Sequence, residues 1–218
     1  MLKKEQKKIL EEIFRSPLAK IASWGGGTAL SEIYLRHRKS EDIDIILTDM
    51  PETIVLTSLT DEIKNKIKAA TKESFINMNR FQYVFNLKNG SQQKLEFVFY
   101  PFPKLDRTER IGKIKIESLL DIAASKILSA YQRKEVKDAY DIFILLKEKK
   151  FTLDGLIPGV EKKFGEKIDS ATLLAKLNSG LENFEALEPM LIGKKSKKKE
   201  VSDFFQREFD SILRKQKL

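Results

Sequence analysis

The chain has 218 residues, with 41 Lys+Arg, 32 Asp+Glu, one His and no Cys. That length supports one domain, or two unequal ones, with a true core. Absent cysteine excludes disulfides, thiolate catalysis and thiolate metal sites, and His37 alone is too little for a His-based zinc site or a Ser-His-Asp triad. The net charge of +9 attracts polyanions without establishing nucleic-acid binding. No apolar run approaches the roughly 20 residues needed to span a bilayer. Met1 to Lys8 lacks the apolar core of a secretory signal, so a cytoplasmic protein with no membrane contact is expected.

Leu2, Gln6, Ile9, Leu10, Ile13 and Phe14 fall near helical spacing and predict an amphipathic helix, interrupted at Ser16-Pro17. A strand is expected around Lys20–Trp24, running into Gly25-Gly26-Gly27-Thr28, followed by a helix from about Ala29 to Arg36. Trp24 is read as core packing, and His37 as a solvent-side residue at the helix end. Asp42 to Leu47 reads as a strand whose period of two puts Asp42 and Asp44 on one face and Ile43 and Ile45 on the other. A helix is expected over Asp61–Ala70, then a hairpin of Arg80–Lys88 and Lys94–Tyr100 about Asn89-Gly90.

Gly112–Ile116 reads as a further strand. Ser118, with Asp121 three residues on, suits the N-cap of a helix reaching about Arg133, and a second helix follows over about Val136–Lys149. From Phe151 the pattern is short helices, ending in an amphipathic one that carries Val201, Phe204, Phe205, Phe209, Ile212 and Leu213. The basic block Lys194–Lys199 reads as a solvated loop that could also meet phosphates. The layout is an α+β amino-terminal part over 1–110 and a helical carboxy-terminal part over 111–218.

Chemistry concentrates in Gly26-Gly27-Thr28 and in Arg38-x-Ser40-x-Asp42-Ile43-Asp44. Glycines leaving a strand let backbone amides approach a phosphate, and the helix that follows presents its positive end to it. Two acids on one strand face repel each other, and a hard divalent cation relieves that repulsion. Mg²⁺ in particular takes a few carboxylate oxygens and completes its shell with water and substrate phosphate. On the later strand Glu96 lies off the face shared by Leu95, Phe97 and Phe99, so it completes a three-acid site if the two strands are neighbours. Lys126 sits on an otherwise apolar helical stripe and needs an anionic partner. Asp138 and Asp141 share one helix face. They either pin helices together through Lys126 or orient it towards a triphosphate, and both can hold at once.

At these residues the chain resembles the AbiEii nucleotidyltransferase toxins of abortive-infection and toxin–antitoxin systems. The resemblance rests on Gly26-Gly27-Thr28-Ala29-Leu30, on Arg38 through Asp44, and on Lys126, Arg133, Lys137-Asp138 and Asp141-Ile142-Phe143. It covers about residues 18–150, with Lys137 standing where arginine is usual. It implies a mixed sheet with flanking helices and a helical carboxy-terminal domain that contributes Lys126 and Asp141 to the site. The implied activity is transfer of a nucleoside monophosphate from an NTP, with pyrophosphate released, onto an RNA hydroxyl such as the tRNA 3′ end, in phage defence. A separately encoded antitoxin is implied as partner.

In that reading Asp42, Asp44 and Glu96 hold Mg²⁺ or Mn²⁺, with Glu96 alternatively helping to deprotonate the acceptor. Gly26, Gly27 and Thr28 cradle phosphates, Arg38 and Ser40 steady the γ side, Lys126 offsets triphosphate charge, and Asp138 and Asp141 position it. The rival readings are a nucleotide- or RNA-binding module without turnover, an interaction protein working through its helical tail, and transfer onto a protein hydroxyl.

Overall fold

The computed structural model describes residues 2–148, 151–193 and 195–216. Lys149, the expected end of a helix, and Lys194, the first of the basic block, lie outside the described residues. The chain forms two compact units, one of residues 1–34, 40–103 and 107–118 and the other of residues 35–39, 104–106 and 119–218.

The first unit is built on a seven-stranded mixed sheet. Its helices are α1 (Lys4–Arg15), α2 (Gly26–Ala29) and α3 (Thr53–Ile67). Its strands are β1 (Ala22–Gly25), β2 (Ile43–Leu47), β3 (Ala69–Asn77), β4 (Arg80–Leu87), β5 (Gln92–Phe99), β6 (Glu109–Ile111) and β7 (Ile114–Ile116). They lie in the order β3-β4-β5-β2-β1-β7-β6. The pairs β2–β5 and β1–β7 are parallel and the others antiparallel.

Alternation sorts each strand between two faces. One face collects Trp24, Ile43, Ile45, Leu47, Leu95, Phe97, Phe81 and Phe85, all buried. Ile9, Leu10 and Ile13 of α1 and Leu56 and Ile63 of α3 are buried with them, each worth about 1.5–3 kcal/mol of removed apolar surface. The opposite face carries Asp44 of β2, Glu96 of β5 and Arg80 and Gln82 of β4.

Several elements differ from their sequence reading. Pro17–Lys20 is a 3-10 turn, so β1 starts at Ala22. The helix expected from Ala29 begins at Gly26 and widens to a π-helix over Leu30–Leu35. The helix expected over Asp61–Ala70 begins at Thr53 and stops at Lys68, whose left-handed backbone (φ 56°) turns the chain. Ala69 and Ala70 then enter β3, a strand the apolar pattern does not announce because it is exposed along most of its length. The strand expected over Gly112–Ile116 is half of a hairpin, with Gly112 at φ 58° between β6 and β7.

The second unit is helical: α4 (Leu119–Gln132), α5 (Val136–Glu148), α6 (Leu153–Phe164), α7 (Ser170–Ser179), α8 (Phe184–Leu187) and α9 (Lys198–Gln216). Helix α4 packs against α5, α6 and α7, and α9 against α5 and α7. Phe143 meets Phe204 edge-on, with ring centroids 5.2 Å apart. Inside this unit Asp121 is buried and accepts from Lys163 Nζ at 2.6 Å and from the Leu105 backbone N–H at 3.0 Å. Residues 37–39 run beside 190–192, with Lys39 N–H donating to Met190 O at 2.7 Å. No helix among the described residues is long and apolar enough to cross a membrane.

Candidate active site

In the first unit the polar sheet face carries one row of residues across neighbouring strands. Gly25 on β1 pairs with Asp44 on β2, Asp44 with Glu96 on β5, and Glu96 with Gln82 on β4. Asp44 and Glu96 are therefore directly abreast on adjacent parallel strands. The neighbour relation on which the third acid depended is present. Glu117, just past β7, extends the row: it is 5% exposed, and a Cβ on Gly25 would fall 2.5 Å from its Oε2. Nothing in local periodicity marked Glu117, since its place depends on β7 lying beside β1.

Gly26 shows why glycine stands at the strand end. Its φ is +68°, and a Cβ built there would overlap Asp44 Oδ2. The Asp44 carboxylate thus occupies the space a side chain would take.

The segment leading into β2 is pinned from three elements. The fully buried Thr28 hydroxyl donates to the Asp42 carbonyl. That bond uses its single proton, so the Ser40 hydroxyl, 2.8 Å away, donates to Thr28. The Gln6 and Gln93 side-chain amides donate to the Glu41 carbonyl at 2.9 and 2.7 Å. Thr28 and Ser40, expected on phosphates, are engaged here in holding the acid-bearing backbone. Asp42 lies one residue before β2 and is exposed. Gln6 entered the sequence reading only as part of the α1 stripe and Gln93 not at all, because a buried amide on a distant carbonyl leaves no local signature.

Glu96 is engaged by Arg80. Arg80 Nε meets Oε1 at 2.8 Å and Nη2 meets Oε2 at 2.7 Å, a two-pronged pair. The hydrogen bonds to Glu96, with the charges of Glu96 and Asp44, raise the Arg80 pKa above its ordinary value against the opposing effect of partial burial.

Among the described residues no three acidic or histidine side chains form a ready cage for a metal ion. The donor set still suits a hard cation. Carboxylate oxygens of Asp44 and Glu96 on one sheet face, with Asp42 two residues before Asp44, leave the remaining positions to water and phosphate oxygens, as Mg²⁺ prefers.

In the second unit, Asp141 is fully buried and is the centre of a charge network. Arg38 donates to it through Nε at 2.6 Å and Nη2 at 2.8 Å, His37 Nε2 lies 2.7 Å from Oδ1, and Lys126 Nζ lies 2.8 Å from Oδ2. Burial pushes the Asp141 carboxyl up, but the charges of Lys126 and Arg38 and the hydrogen bonds from Arg38 and His37 outweigh it and hold the carboxyl well below the usual range. Lys126 also meets Asp138 at 2.8 Å, and Arg133 meets the other Asp138 oxygen at 2.9 Å. Burial pulls the Lys126 ammonium down, and Asp141 and Asp138 more than restore it, leaving its pKa raised. The helix-pinning ion pair weighed in the sequence is therefore present.

Two placements depart from expectation. His37 is buried at 5% exposure and not on the solvent side, because Asp141 draws it inward; its Nδ1 has no hydrogen-bond partner. Arg38, expected near the γ-phosphate, has its fork on Asp141 and a side chain 3% exposed. Trp24 is core, as read.

Comparison with known proteins gives these residues a family. The sequence profile described as Nucleotidyl transferase AbiEii toxin, Type IV TA system matches residues 8–217. The match takes in the tail beyond residue 150, which the motifs left unassigned. The uncharacterized protein aq_aa25 of Aquifex aeolicus (strain VF5) is 29% identical over 97% of this chain and 98% of its own length. The crystal structure of JHP933 from Helicobacter pylori superposes with a TM-score of 0.63 at 19% identity, covering 98% of this chain and 92% of that one. The nucleotidyltransferase toxin MenT4 of Mycobacterium tuberculosis superposes at 0.54 with 12% identity, covering 94% and 80%. These two share the fold. The ordered blocks from Gly26 to Asp44 and from Lys126 to Asp141, and the family match that spans both units, make this chain a member of the AbiEii nucleotidyltransferase toxins of type IV toxin–antitoxin systems.

Proposed function

We propose that the chain transfers a nucleoside monophosphate from an NTP onto an RNA hydroxyl, the tRNA 3′ end being the acceptor to test first, and that this arrests translation in phage defence. The observation that carries the reading is Asp44 abreast of Glu96 on parallel strands, with the Asp44 carboxylate seated in the space that Gly26 leaves beside it. Asp42, Asp44 and Glu96 would hold a divalent cation, Mg²⁺ or Mn²⁺. When bound, it offsets charge on the triphosphate and polarises the attacking oxygen.

The chain's own groups position the rest. Backbone amides at Gly26 and Gly27 approach the phosphates, and Thr28 and Ser40 fix the backbone that carries Asp42. Lys126 offsets negative charge on the triphosphate, with Asp138, Asp141 and Arg38 setting its position and charge state. The acceptor oxygen bonds to the α-phosphorus and its proton passes to water. The α–β bridging bond breaks, and pyrophosphate leaves with the electron pair. Preorganised charge supplies most of the acceleration. The amino-terminal unit is the nucleotidyltransferase core in this reading, and the separately encoded antitoxin is the cellular partner.

The test is incubation with each of four α-³²P-labelled NTPs, total tRNA and total protein, for the wild type and Asp44→Ala. Label on RNA from one NTP, abolished in Asp44→Ala with the fold retained, is the expected result. Label on protein replaces the acceptor, and undiminished transfer in the variant refutes the site.

A further inference from the structure

Arg80 opens β4 on the polar sheet face, one pair along from Glu96: Gln82 stands opposite Glu96 and Arg80 opposite Val98. The guanidinium reaches diagonally to Glu96 and takes both carboxylate oxygens, at 2.8 and 2.7 Å. Its side chain is 55% exposed, while that of Glu96 is 18% exposed. A group so exposed can swing into water without losing buried packing. Its partner carboxylate is the one that stands beside Asp44.

A guanidinium and a divalent cation compete for the same oxygens. Resting on the metal-site reading above, we propose that Arg80 is a positioning residue that latches Glu96. While the fork is closed, Glu96 is withheld from a cation at Asp42 and Asp44, and the cation gains Glu96 only by displacing Arg80. The latch keeps the carboxylate row charge-compensated while the site is empty. It also sets the metal concentration the site requires.

The latch depends on fork geometry as well as charge, which separates it from simple repulsion of a cation. Lysine retains the charge and loses the planar two-pronged hold. The experiment is Mn²⁺ binding to the whole chain without nucleotide, read by calorimetry and by the paramagnetic signal of free Mn²⁺. Arg80→Lys and Arg80→Gln should each tighten Mn²⁺ by at least about threefold, the scale of a partly exposed ion pair. In the Glu96→Gln background neither substitution should change Mn²⁺ affinity further.

Wild-type affinity in Arg80→Lys with tightening in Arg80→Gln alone would overturn the latch in favour of charge at a distance. So would an Arg80 effect that persists in Glu96→Gln. Asp44→Asn separates this idea from the reading beneath it. Lost Mn²⁺ binding in Asp44→Asn with no change in Arg80→Lys overturns the latch and leaves the metal site standing. Undiminished binding in Asp44→Asn removes the metal site, and the latch with it.

Discussion

The Asp44 carboxylate lies against the backbone of Gly26, in the space that a Cβ on residue 26 would fill. The two belong to different elements, α2 and β2, and the missing side chain is what lets them close. Gly26→Ala meets both the overlap and a backbone at φ +68°. It should cost more than about 1 kcal/mol of stability and displace Asp44, so that nucleotidyl transfer is lost. Urea denaturation and pyrophosphate release measure the two effects, and wild-type values for both would show that the contact is not needed.

Thr28→Val keeps the shape of the side chain and removes the hydroxyl that holds the Asp42 carbonyl and receives Ser40. The Asp42 carbonyl loses that donor, at about 1 kcal/mol for the lost hydrogen bond. Transfer should fall because Asp42 loses its fixed backbone, while Thr28→Ser restores most of both. A Thr28→Val protein with unchanged melting and turnover would remove this anchor from the account.

Asp141→Asn takes one full charge from a buried network that includes Arg38 and Lys126. Breaking a buried pair from one side is expected to destabilise by about 3–5 kcal/mol. The check is the urea midpoint at neutral pH. A change near zero would mean that water, and not Asp141, compensates the two cations.

The same network predicts acid sensitivity. The folded chain holds the Asp141 carboxyl well below its ordinary value, whereas the unfolded chain titrates it near about 3.9. Unfolded molecules therefore bind more protons as pH falls through that range. The contribution is fully present above about pH 5 and drains away as pH drops towards the folded-state value. Lys126 works in the opposite direction: its raised pKa contributes below about pH 10.4 and is lost as pH rises through its folded-state value. As pH is lowered from 7 to 3, urea midpoints should fall steeply in the wild type and less steeply in Asp141→Asn. Parallel curves would assign the acid transition to other carboxylates.

Some of this was legible residue by residue. Ile43 and Ile45 against Asp42 and Asp44, and Leu95, Phe97 and Phe99 against Glu96, follow from a two-residue period; buried Ile43, Ile45, Leu95 and Phe97 bear out its apolar side, while Asp42 falls one residue before β2. Lys126 on an apolar stripe needed an anion, and Asp138 and Asp141 supply it from α5. Strand β3 was not legible: it is largely exposed, so neither face carries an apolar repeat. Arg80 looked like the polar start of a strand, and its meaning lies on β5.

By itself, the amino-acid order determined which stretches alternate or repeat helically, where glycine must stand and which residue types meet along the chain, since backbone sterics and side-chain period act over a few residues. Tertiary structure alone decided that β5 lies beside β2, that Glu117 joins the carboxylate row, and that His37 turns inward to an aspartate 104 residues away. Those outcomes depend on which strands abut and on where a buried charge can find its counter-charge. Both conditions are met only when distant segments have packed together, and no local pattern encodes them.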